Sequence, residues 1–292
     1  MAIRRSLLFV PGNNPGMLQN GGVFGADAVI LDLEDAVAPQ EKDAARILVS
    51  HALRNVNYGS SEVVIRINPL DTPMAIDDIK AIVPCQPGAL LLPKVQQAGD
   101  IKKLADLIAQ YEQPGQQPVG IIALIETPRG LAEAYNIATA DRRVTALAFG
   151  AEDYTAALGA QRTKEGAEIL TARSLVANAA AAAGIDAIDT PFTDVNDEQG
   201  LMADTSMAKK LGFKGKLVIN PRQVGIIHGV FNPSSDEIDW AERVIEAIRQ
   251  AEIDGSGVTA VDGKMVDAPI VNRAERILHL AVLLGLRKGE QV

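Results

Sequence analysis

The chain has 292 residues, of which 47% are hydrophobic, 22% charged and 4% aromatic, with one cysteine and a formal net charge of -9. That composition fits a soluble globular protein of two average domains, or one α/β barrel with an extension, and excludes a disulfide framework or a cysteine-rich zinc site. The acidic excess argues against nucleic acid as the main partner, because phosphate binding needs a basic face, and the lone Cys85 points to a reducing, cytoplasmic setting.

The first apolar run, Ser6–Val10, ends at Pro11-Gly12 and is read as a strand, being too short for the core of a leader peptide. Seven further runs follow: 28–33, 63–68, 89–94, 120–126, 146–150, 187–190 and 217–220. All are apolar along their length rather than alternating, as strands buried on both faces are. Helical spacing in the gaps predicts helices over 40–54, 100–111, 165–183 and 201–211, the last two closed by Gly184 and Gly212. Beyond the eighth run, 236–251 and 269–286 read as helices, Gly255-Ser-Gly257 as a flexible turn and 258–261 as a short strand. No stretch approaches the roughly 18 apolar residues of a membrane span.

Eight such units predict a (β/α)8 TIM barrel over residues 1–225 with a C-terminal helical extension over 226–292. The extension exceeds what a barrel needs, so it covers its own barrel or reaches a neighbouring subunit. A doubly wound sheet is the alternative, but the glycine fingerprint expected after its first strand is absent.

A barrel carries its active site at the carboxyl ends of the strands. The runs end in Asp32-Leu33-Glu34-Asp35, Arg66 with Asn68, Pro93-Lys94, Glu126-Thr127-Pro128-Arg129, Glu152-Asp153, Asp189-Thr190 and Asn220-Pro221-Arg222. Glu126 and Asp153 are 153 − 126 = 27 residues apart, one βα unit. Two carboxylates on adjacent strand ends make an oxygen-only seat for a hard cation such as Mg²⁺. The competing reading pairs Glu126 with Arg129 and makes Asp153 a helix cap. Arg66 interrupts an apolar run and needs an anion, either a strand-end carboxylate such as Glu34 or a substrate carboxylate. Glu34 supports Arg66 or holds a water on the metal, and Asp35 is expected to cap the next helix. Lys94 is an anion-binding or structural lysine, with a Schiff-base role as the sharper alternative. Cys85 and the three histidines, His51, His228 and His279, are scattered and read as packing residues. GxSxG, Walker A and GxGxxG motifs are absent, which counts against serine hydrolases, P-loop enzymes and Rossmann dehydrogenases.

The chain resembles the HpcH/HpaI aldolase and citrate lyase family along almost its whole length. The resemblance rests on Arg5–Gly12, Leu31–Asp35, Ile65–Asn68, Leu92–Lys94, Ile125–Pro128, Gly150–Tyr154, Ile219–Arg222 and Gly263–Asp267, in that order. It implies a Mg²⁺-dependent lyase that cleaves a citryl thioester to oxaloacetate and an acetyl thioester by a retro-Claisen reaction. By the same resemblance, Glu126 and Asp153 hold the metal and Glu126 also lines the substrate. Arg66 binds a substrate carboxylate, and Asp267 of a neighbouring subunit delivers a proton to the acetyl carbon. Glu34 is the candidate base. The thioester arm is phosphopantetheine on an acyl-carrier protein, or CoA. The implied partners are the acyl-carrier (γ) and transferase (α) subunits of a citrate lyase complex, in a homotrimer or larger homo-oligomer. A stand-alone citramalyl-CoA or malyl-CoA lyase and a non-catalytic subunit of a lyase complex are the alternatives.

Overall fold

A computed structural model describes residues 3–253 and 259–287. The eight apolar runs form β1 (Ser6–Pro11), β2 (Ala28–Asp32), β3 (Glu62–Arg66), β4 (Ala89–Leu92), β5 (Gly120–Ile125), β6 (Val144–Phe149), β7 (Asp186–Asp189) and β8 (Gly215–Val218). They close in sequence order into one parallel barrel, with β8 paired to β1 through Leu7 and Leu217. The pleat explains why each run is apolar throughout. Leu7, Ile30, Val64, Leu91, Leu124, Ile188 and Leu217 fill the barrel interior. Their neighbours Leu8, Leu31, Ile65, Leu90 and Ile125 join the second, outer core under the helices.

The helices of this layer are α1 (Pro15–Asn20), α2 (Lys42–Asn55), α3 (Pro73–Ile82), α4 (Ala98–Tyr111), α5 (Pro128–Ala132), α6 (Ala134–Ala138), α7 (Ala151–Leu158), α8 (Ala167–Ala183), α9 (Glu198–Leu211) and α10 (Arg222–Phe231). Their ends follow local chemistry. The Asp197 side chain accepts the Gly200 N–H, so α9 starts three residues before the apolar periodicity does. Gly184, at φ 71, stops α8 while the Ile185 N–H turns back to the Ala180 carbonyl at 3.0 Å. The eighth strand lies two residues earlier than the periodicity suggests, because Lys216 is buried within it.

The chain divides into two compact units, one running to Phe231 and one starting at Asn232. In the second, α11 (Ser235–Ile253) packs on α12 (Ala268–Leu283) through Ala241, Val244 and Ala274. The hairpin β9 (Thr259–Val261) and β10 (Lys264–Val266) precedes α12. Its two-residue turn is Asp262-Gly263, at φ 52 and φ 74, the left-handed pair a type I′ turn demands. The expected turn at 255–257 lies outside the described residues. Among those described, no helix is long and apolar enough to cross a membrane.

Candidate active site

The inward register of the barrel stays apolar until its carboxyl end, where charge replaces it. Two residues beyond Ile30, Val64 and Leu124 stand Asp32, Arg66 and Glu126. Asp32 is 1% exposed and takes Arg66 side-on, Nε to Oδ1 at 2.7 Å and Nη2 to Oδ2 at 2.5 Å. The backbone N–H groups of Glu34 and Ala36 donate to the same carboxylate. The guanidinium lies 4.7 Å over the Phe9 ring, and its Nη1 faces Glu34 at 3.2 Å and Asp35 at 3.4 Å. Burial opposes the charge on Arg66, but Asp32, Glu34 and Asp35 outweigh it and hold the group above its ordinary value. Asp32 is therefore the chief partner of Arg66, with Glu34 the second. Asp35 caps no helix: α2 starts at Lys42, after a 3-10 turn over Pro39–Glu41, and the Asp35 carboxylate stays exposed beside Arg66.

Glu34 sits between two cations, 3.2 Å from Arg66 and 3.5 Å from Lys94 Nζ. Burial still raises its carboxyl to about 6, with Arg66 and Lys94 pulling down and Asp35 and Asp32 pushing up. Its backbone is clamped from below. Lys42 Nζ donates to the carbonyls of Leu33 and Glu34, and Asn68 Nδ2 donates to that of Leu33. Asn68 is held by the buried Asp78, which also accepts Arg46 Nε at 2.8 Å.

Glu126 is 4% exposed and has one hydrogen-bond donor among the described residues, the backbone N–H of Lys94 at 2.6 Å. Lys94 holds φ 55, a left-handed conformation costly for a side-chain-bearing residue, and this turns its N–H onto the carboxylate. Burial pushes the Glu126 carboxyl up to about 8, with Asp153 and Glu34 adding to the push and the Lys94 N–H and Arg66 resisting it. No ion pair joins Glu126 to Arg129 among the described residues. Asp153 stands in the first turn of α7, whose cap residue is Gly150, so Asp153 is not the cap. A Cβ on Gly150 would lie 2.8 Å from both Cβ and Oε2 of Glu126, so only glycine lets this turn come so close.

The Lys94 side chain is half-exposed. Burial works against its charge, but Glu34, Asp35, Glu126 and Asp153 outweigh burial and keep it protonated. An imine-forming lysine needs the opposite shift. Asp267 lies in the second unit, where its carboxylate accepts the Ile270 N–H at 3.2 Å and caps α12. The sequence placed Asn68 and Thr190 at strand ends without a role and carried no signal for the Lys42 clamp; the Thr190 hydroxyl accepts the Ala151 N–H at 3.0 Å. Sequence reasoning also passed over a buried network on the outer face of β7 and β8. There Lys216 reaches Asp189 at 2.6 Å and Asp204 at 2.5 Å, and Arg173 forks onto Asp189.

The model of the HpcH/HpaI aldolase/citrate lyase family matches residues 5–221. The citrate lyase subunit beta of Leuconostoc mesenteroides subsp. cremoris is 47% identical over 282 residues, covering 96% of this chain and 93% of that protein. The human mitochondrial citramalyl-CoA lyase is 31% identical, covering 95% of this chain and 85% of its own. The structure of protein CitE from Mycobacterium tuberculosis in complex with magnesium, acetoacetate and coenzyme A superposes with a TM-score of 0.80 at 34% identity, covering 96% of this chain and 98% of that one. A citrate lyase beta subunit from the same organism, complexed with oxaloacetate and magnesium, gives 0.69 at 33% identity, covering 80% of this chain and 100% of that one.

Proposed function

We propose a function for a chain that belongs to the HpcH/HpaI aldolase/citrate lyase family: it cleaves a citryl thioester to oxaloacetate and an acetyl thioester by a Mg²⁺-dependent retro-Claisen reaction. The observation that carries this reading is Glu126, a buried carboxylate at the mouth of the barrel whose proton affinity is raised by burial and by Asp153, and which forms no ion pair with a protein cation among the described residues. Asp32, Glu34, Asp35, Glu126 and Asp153 share this rim with Lys42, Arg66 and Lys94. A rim so rich in carboxylates repels a substrate that carries two free carboxylates of its own unless a cation is added.

Mg²⁺ fits the donors present. Among the described residues no three His, Cys, Asp or Glu side chains form a cage, and Mg²⁺ characteristically takes only one or two carboxylates. Glu126 and Asp153 would hold it, and when bound it supplies Lewis acidity toward the hydroxyl and carboxylate oxygens of the substrate. The chain's own residues do the rest. Arg66, locked by Asp32 and Phe9, presents Nη1 to a substrate carboxylate and to the oxygen that gains charge as the C–C bond breaks. Glu34, with its carboxyl near 6, accepts the hydroxyl proton. Asp267, in the extension over 226–292 and contributed by a neighbouring copy of the chain, returns a proton to the acetyl carbon. The thioester arm is phosphopantetheine on the acyl-carrier (γ) subunit of a complex that also contains the transferase (α) subunit, in the cytoplasm.

The test assays citryl-carrier, citramalyl-CoA and malyl-CoA with and without chelator. The expected outcome is turnover of the citryl thioester, lost on chelation and restored by Mg²⁺. Full turnover in excess chelator, or turnover of citramalyl-CoA alone, overturns the reading.

A further inference from the structure

The eight-residue helix α7 starts without a side-chain cap of its own, because Gly150 has none to offer. Its first turn is instead pinned from two neighbouring strand ends. The Gly150 N–H donates to the carbonyl of Ile125, the residue before Glu126, at 3.0 Å. The Ala151 N–H donates to the hydroxyl of Thr190, just past β7, at 3.0 Å. Thr190 is 1% exposed and Ala151 is fully buried, so water cannot substitute for that hydroxyl. The two bonds tie the start of α7 to the end of β5 and to the residue after β7. Asp153 rides on this turn two residues later.

We infer that Thr190 is a positioning residue for the metal seat, acting through the Ala151 amide to hold Asp153 in register with Glu126. This rests on the reading of Glu126 and Asp153 as the Mg²⁺ ligands. Thr190 touches neither carboxylate in any described contact. Its role is to deny α7 the small rotation that would separate the two oxygen donors. Groups that orient metal ligands from behind influence affinity strongly, because a rigid seat needs no reorganisation on binding.

The experiment measures Mg²⁺ affinity by calorimetry on full-length wild type, T190V, T190S and D153N, with hydrogen–deuterium exchange across residues 151–154. Valine keeps the shape of threonine and removes the acceptor. T190V should weaken Mg²⁺ by about 10-fold or more and speed exchange at the start of α7, while T190S restores both. T190A serves in its place if T190V does not fold. If D153N abolishes Mg²⁺ binding and T190V leaves both readouts at wild-type values, the positioning role is wrong and the metal seat stands. If D153N binds Mg²⁺ like the wild type, the seat itself is wrong and this inference falls with it. Weakened binding with unchanged exchange also overturns it, since the clamp would then not be the cause.

Discussion

Arg66 and Asp32 meet as a parallel two-point pair, Nε to Oδ1 at 2.7 Å and Nη2 to Oδ2 at 2.5 Å, across the join between β3 and β2. The pairing uses one edge of the guanidinium and leaves Nη1 on the other, facing Glu34 at 3.2 Å and Asp35 at 3.4 Å. Lysine at this position keeps the charge but has neither the fork nor the fixed plane. Arg66→Lys is therefore expected to weaken oxaloacetate binding in the presence of Mg²⁺ by about 10-fold or more. Calorimetric titration checks it, and unchanged affinity would show that Nη1 does not meet the substrate.

Glu126 costs the metal-free fold stability. Its folded carboxyl is raised to about 8 from an ordinary 4.5, so folding favours the protonated form and stability drops as pH climbs from the lower value to the higher. Glu126→Gln removes the charge. In chelator near neutral pH the variant should be more stable than wild type by about 1 kcal/mol or more, and should lose the stabilisation Mg²⁺ confers on wild type. Thermal unfolding with and without Mg²⁺ measures both, and a variant less stable than wild type in chelator would contradict the argument.

Lys216 is fully buried between Asp189 and Asp204. Replacing it with methionine leaves two carboxylates to share Arg173 alone, and breaking a buried ion network from one side costs about 3–5 kcal/mol. Denaturant unfolding of Lys216→Met should show a loss of that size. A loss of only a few tenths would mean that Arg173 suffices.

His228 answers to pH at the opposite end of the barrel. The Ser6 hydroxyl accepts the Asp27 N–H and shares a hydrogen bond with His228 Nε2 at 2.8 Å. Burial lowers the ring below its ordinary 6.5 and Arg5 assists, against Asp27 at 3.6 Å. A depressed histidine contributes stability that is present above the unfolded value and lost as pH falls through it. As pH falls through the ordinary histidine value of 6.5, wild type should lose more stability than His228→Gln. Parallel pH profiles of the two proteins test this, and superimposable profiles would exclude the histidine as the source.

Some structure was locally legible but went unread. Asp262-Gly263 between short apolar runs is a hairpin signal in itself, and the strand after it, Lys264–Val266, follows from that turn. The partner of Arg66 was only half legible. Asp32 and Glu34 share a face by strand alternation, but the strand ends at Asp32, so Asp32 points inward with the pleat while Glu34 belongs to the loop beyond it.

The sequence by itself determined the barrel, the order of its strands and the rim on which Asp32, Arg66, Glu126 and Asp153 gather. Strands buried on both faces are apolar without interruption, and the first polar residue after each marks its carboxyl end. Only the tertiary structure decided which of those residues touch. Thr190 reaches Ala151, Lys94 reaches Glu126 and Lys216 reaches Asp204 because barrel closure and strand register bring distant residues within hydrogen-bond range. Local patterning carries the direction in which a side chain leaves its strand, whereas the distance to its partner is a property of the closed sheet.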